Sequence, residues 1–297
     1  MKETSQKNRN TMSLIAIVVG LLMVTVIPFL TQTSLERVLV GLTEHIKAGN
    51  PTFSSGVPLF DLFYPVWRAV IFVAGVALIV ISQEIKKGEE WTYQVAMSLF
   101  ALPAIGGMFM FLPYISWVEG FPLPLIIAMI GLTGYFSLIF LRKGEMIQKW
   151  TRFGALTFIG MLATHAFTIG IGAQRTMATR PGYPFYKDFT WWLFNWVGEV
   201  NWVAVILLFM SIPLLAIGRR KGWWLAVIGT IAIMMIDIPT QFFRTKTLDY
   251  LYGALLGIGV LIFTVAPFFK KHLLEDETDE AQSSQLNTSL HAHASTD

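Results

Sequence analysis

Eight apolar stretches, each long enough to cross a bilayer, constrain this chain more than any other feature. A helix needs roughly 20 apolar residues to traverse a hydrocarbon core of about 30 Å. Measured against that length, spans fall near 12–31, 63–83, 93–113, 122–141, 152–172, 193–217, 223–243 and 249–269. Backbone polar groups inside lipid must be satisfied within their own segment, so runs of this length are helices. The expected fold is an all-α bundle of about eight transmembrane helices. With 54% hydrophobic and 14% charged residues among 297, the spans leave little room for a soluble domain.

Charge sets the expected orientation. Fourteen of the 22 Lys and Arg fall at one end of the spans: Lys2, Lys7 and Arg9, Lys86 and Lys87, Arg142, Lys143, Lys149 and Arg152, Arg219, Arg220 and Lys221, Lys270 and Lys271. The opposite end holds Arg37, Lys47, Arg175, Arg180, Lys187, Arg244 and Lys246, and Arg68 lies within a span. The positive-inside rule then predicts both termini in the cytoplasm of a prokaryotic cell, with the bundle in its plasma membrane. The first span follows a basic start, but it is longer than a typical signal-peptide core and reads as an uncleaved anchor.

Residues 1–11 read as a cytoplasmic segment and 12–271 as the membrane domain. Residues 272–297, acidic and then rich in Ser, Thr and Gln, read as a disordered cytoplasmic tail. Three turns, Lys86-Lys87-Gly88, Arg142-Lys143-Gly144 and Arg219-Arg220-Lys221-Gly222, place cations and a glycine where helices end, marking hairpins of spans 2–3, 4–5 and 6–7. Outside, residues 34–49 form an amphipathic segment: Ser34 suits an N-cap, Leu35, Val38, Leu39, Leu42 and Ile46 share a face, and Gly49 and Pro51 end it. A long external loop is expected over 173–192, with Trp191, Trp192 and Trp196 near it as an interfacial belt.

Ionisable groups inside a span cost free energy and each needs a reason. Counting 1.5 Å per residue from the basic end of each span puts Arg68 about 22 Å up, His165 about 20 Å and Asp237 about 21 Å. Three helices thus contribute one such residue each at a common level. Thr240, Gln241 and Arg244 follow Asp237 on one helical face, Thr168 and Gly172 follow His165, and Asp61 precedes Arg68. Glu199 and Asn195 lie near the outer end of span 6. Arg68, His165, Asp237, Gln241, Arg244 and Glu199 are therefore the candidates for ligand binding or proton coupling around an outward-facing polar cavity. A direct Arg68–Asp237 ion pair is expected within it.

No cysteine is present, which removes disulfides, thiolate metal sites and cysteine nucleophiles. One histidine in the spans cannot supply the paired ligands of a transmembrane haem, and no zinc, Walker or nucleophile-elbow pattern occurs. No metal, cofactor or nucleic acid is expected. The bilayer is the implied partner, together with a small polar or anionic solute. Three functions stay open: a small-solute carrier or binder, a non-catalytic subunit or scaffold engaging other membrane proteins, and an intramembrane enzyme using His165 and Asp237.

Overall fold

The structure, a computed structural model, describes residues 4–178, 188–244 and 247–274. It is all helical. The long helices are α1 (Gln6–Lys47), α2 (Gly56–Lys87), α3 (Trp91–Trp117), α4 (Leu123–Leu141), α5 (Met146–Ala178), α6 (Phe189–Ala216), α7 (Arg220–Phe243) and α8 (Asp249–Val265); the short α9 (Pro267–Leu273) follows. Seven of these are long and apolar enough to cross a membrane, or eight if α8 and α9 count as one bent span. The chain is a multi-pass membrane protein in a lipid bilayer.

Local chemistry explains the helix boundaries. Ser5 caps α1 by accepting from the Asn8 N–H at 3.2 Å. Gly88 ends α2 in the left-handed conformation, at φ 85°, as its turn predicts. In the third basic turn that role falls to Gly218, at φ 78°, rather than Gly222. Gly222 lies inside α7, where a side chain would meet Leu214 at 2.6 Å. Pro267 explains the break of the last span. It forces Ala266 into extended backbone (ψ 129°), and α9 leaves α8 at 71°.

Two expected boundaries shift. The segment 34–49 is no separate surface helix, because α1 runs on unbroken to Lys47. Ser34 does not cap it; its hydroxyl donates back to the Leu30 carbonyl at 2.6 Å, which is how hydroxyl side chains are accommodated inside a helix. Leu35, Val38 and Leu42 are buried, and Gly41 rests against the Trp117 backbone at the end of α3. The external connection over 173–192 is also shorter than expected, since α5 extends to Ala178 and α6 begins at Phe189. Residues 179–187 and the acidic tail from Glu275 lie outside the described residues.

The helices gather into two halves. In one, α1 packs along α2, α3 along α4, and α1 also against α4; in the other, α6 lies between α5 and α7, and α8 against α7 and α5. Small residues bring these backbones together. A side chain at Gly20 would meet the Gly75 carbonyl at 2.8 Å, and one at Gly107 the Ala128 nitrogen at 2.4 Å. The halves meet chiefly where α3 faces α5 and α6. Phe167 is the centre of that seam, with Phe109 at 4.7 Å, Trp202 at 5.4 Å and Phe63 at 5.5 Å between ring centroids. The expected hairpin of spans 4 and 5 packs near its turn, where Phe136 lies 4.5 Å from Phe153 and Phe140 5.0 Å from Trp150 between ring centroids, and Lys149 donates to the Phe140 carbonyl at 2.8 Å.

Candidate functional site

Three helices of the second half bring polar groups to one buried point, and a fourth brings a glycine. Asp237 on α7 is wholly buried, and its Oδ1 accepts from the Asn201 side-chain amide of α6 at 2.9 Å. The same amide nitrogen donates to the Val197 carbonyl at 2.9 Å, which fixes the Asn201 rotamer. His165 on α5 approaches from the other side, and Gly253 of α8 lies between them. A Cβ at Gly253 would stand 2.3 Å from Asp237 Oδ2 and 3.2 Å from His165 Nε2. The two side-chain atoms are thus no farther apart than those distances laid end to end.

Asp237 Oδ2, His165 Nε2 and Asn201 Oδ1 are all buried without a hydrogen-bond partner. Buried polar atoms are almost always paired, so these orphans, two of them facing Gly253, need a physical account. One proton held between Nε2 and Oδ2, or one ligand hydrogen-bonding to both, would satisfy two of them. Among the described residues no three His, Cys, Asp or Glu side chains gather to hold a metal ion.

His165 also forms the floor of a cavity of about 960 Å³ at the Lys/Arg-poor end of the bundle, at the seam between the halves. Phe109 and Pro113 of α3 line one side, with Thr168 and Arg175 of α5 and Arg244 and Asp249 opposite. Arg244 is the C-cap of α7, and its guanidinium lies 4.3 Å above Trp191 and 5.1 Å above Phe194. Arg175 lies 4.8 Å above Phe53 in the same way. Such cation–π seating holds a guanidinium in place over a ring face.

The structure sorts the six candidates. His165, Asp237 and Arg244 meet at the cavity or directly beneath it. Arg68 does not: it donates to Gln32 of α1, and no ion pair joins it to Asp237. The expected pair fails because a common depth says nothing about direction, and α2 turns Arg68 toward α1. Gln241 braces the α7–α8 turn, donating to the Thr247 carbonyl at 2.6 Å and accepting from the Leu251 N–H at 2.9 Å. Glu199 is exposed on α6, where it accepts from Asn195 at 2.9 Å, and Asp61 is exposed on α2. Asn201 and Gly253 carry the site as much as the charged residues do. Neither carries a charge, so neither is marked in the sequence by the cost that singles out ionisable residues inside a span.

Together these observations define a class: an all-α, multi-pass membrane protein whose two helical halves meet at a cavity of mixed polar and apolar lining, above the buried side chains of Asp237 and His165. Comparison with protein-family models, with curated proteins and with solved structures finds no match.

Proposed function

We propose that this protein binds, and carries across the membrane, a small solute with an anionic group, using the cavity at the seam between its halves. The observation that carries the reading is the convergence of unpartnered buried polar atoms, Asp237 Oδ2 and His165 Nε2, directly under a cavity that holds two seated arginines. Arg175 and Arg244 supply the charge that takes an anion out of water, and their aromatic seats spare the entropy of ordering them. His165 and Asp237 exchange a proton as the cavity fills and empties, which links solute movement to proton movement. The seam supports this assignment because two bodies meeting around a site are the elements whose relative tilt changes access.

Proteoliposomes holding the purified protein, supplied with a proton gradient and radiolabelled acetate or phosphate, test the reading. Wild type should accumulate at least one of these anions, and Asp237→Asn should abolish accumulation without changing the amount of folded protein. Accumulation by Asp237→Asn equal to wild type would sink the proton-coupled mechanism.

A further inference from the structure

A second cavity of about 400 Å³ opens on the other side of His165, between α3, α4 and α5. Its walls are apolar: Ile105, Met108, Leu132, Phe136, Leu156 and Met161 are among them. His165 and Leu112 line both this chamber and the polar cavity, so the two spaces meet at the imidazole. On α5 the apolar chamber runs from Phe153 to His165, about 18 Å at 1.5 Å per residue. That is more than half of a hydrocarbon core of roughly 30 Å, the depth that one leaflet's chains occupy. The polar cavity continues along α5 from His165 to Thr176.

The chamber also has a side door. Phe136 and Phe140 of α4 close on Phe153 and Trp150 of α5 beside their shared turn, but farther along α5, where Met161 is 49% exposed, the wall is open. Gly160 faces the chamber with nothing within 4 Å of where its Cβ would be. A polar solute that fills the upper cavity leaves this lower space unmatched, and an apolar one would press hydrocarbon against Arg175 and Arg244. One shape of ligand matches both.

Building on the solute-binding reading above, we infer that the ligand is an anionic amphiphile with one long apolar chain, admitted from the bilayer between α4 and α5. Its head lies toward Arg175 and Arg244, and its chain passes His165 into the apolar chamber toward Phe153 of α5. Lipid chains are as apolar as the chamber, so the chamber adds little selectivity of its own. The arginines select the charge, and the chamber fixes the direction in which the molecule lies.

The test uses the full chain in nanodiscs of zwitterionic lipid, with a sixteen-carbon fatty acid bearing a diazirine near its chain end as probe. Irradiation should place adducts on α4 and α5 between Leu132 and Gly160, and an excess of unlabelled fatty acid should remove them. Gly160→Phe should lower this labelling about tenfold. Leu132→Trp fills the same space from α4 and should do likewise, so the result does not hang on one variant folding. Arg244→Gln should weaken competition by the unlabelled acid about tenfold. Equal labelling of wild type and of whichever chamber-filling variant folds, or adducts spread evenly over lipid-facing helices, would overturn the amphiphile. Acetate or phosphate accumulation then separates the two readings. If it persists in wild type and in Gly160→Phe, the polar solute survives alone; if it too is absent, both readings fall.

Discussion

Gly253→Ala adds a single methyl group at the point where the site converges, and the size of its effect follows from the geometry. In an unobstructed helix, replacing glycine by alanine gains about 1 kcal/mol. Here the new Cβ would stand 2.3 Å from Asp237 Oδ2 and 3.1 Å from His165 Cδ2, both too close. Asp237 cannot swing aside freely, because it is wholly buried and its Oδ1 is held by Asn201. Overpacking costs roughly 1–3 kcal/mol, and losing a hydrogen bond to a charged group costs roughly 1.5–3 kcal/mol. Set against the helical gain, the net loss is roughly 1.5–5 kcal/mol, a fall in Tm of roughly 3 °C or more. Gly160→Ala, whose Cβ meets nothing within 4 Å, is the control and should melt at or slightly above wild type. Thermal melting of the detergent-purified variants reads both. In an Asp237→Ala background the closer obstruction is gone and only the His165 ring remains, so Gly253→Ala should lose most of its cost, a coupling of about 1–3 kcal/mol. If Gly253→Ala is as stable as wild type, or costs as much without the carboxylate as with it, the packing described around Gly253 is wrong.

Three further expectations follow from the same structure. Asn201→Leu strands the buried Asp237 carboxylate and should lower stability by roughly 3 kcal/mol, whereas Asn201→Leu with Asp237→Leu should lower it less, as chemical unfolding in detergent would show. Arg68→Gln and Asp237→Asn act on separate networks, so their effects on melting should add to within about 0.5 kcal/mol; strong coupling would mean the two residues are paired after all. Pro267→Ala removes the cause of the α8–α9 bend, so spin labels at Ile258 and Phe268, placed by cysteine substitution in this cysteine-free chain, should move apart toward the roughly 15 Å rise of a straight helix.

The helices were legible because apolar length is a physical demand of the bilayer. Spans 2 to 7 each fall on one helix, and most of these helices run on past the expected ends. What the sequence hid was direction. Depth can be counted along a helix, so His165 and Asp237 could be placed at one level, but Arg68 shares that level and faces another way. Rotation about the helix axis is set by packing, and α2 is nearly apolar all round over its membrane stretch, so no face of it announces its partner. The unbroken α1 was hidden for a different reason. Thr31-Gln32-Thr33-Ser34 looks like a place where a helix stops, yet Ser34 satisfies its hydroxyl on Leu30 and Gln32 accepts from Arg68, so the polar run continues the helix. Asn201 escaped notice because nothing about a lone amide marks it as the donor to a carboxylate 36 residues away.

Hydrogen bonds tie the halves together at both ends of the seam. At the cavity mouth the Ser55 hydroxyl donates to the Arg175 carbonyl at 2.9 Å, joining the start of α2 to α5. At the Lys/Arg-rich end Arg142, the C-cap of α4, donates to the Ala216 carbonyl at 3.1 Å, joining α4 to α6. Two rods pinned at both ends behave as a pair of tongs with two removable rivets. Releasing one rivet lets the tongs spread at that end while the other becomes the pivot. Each of these bonds contributes about 1–3 kcal/mol, in addition to the aromatic packing around Phe167 that must also yield if the halves spread.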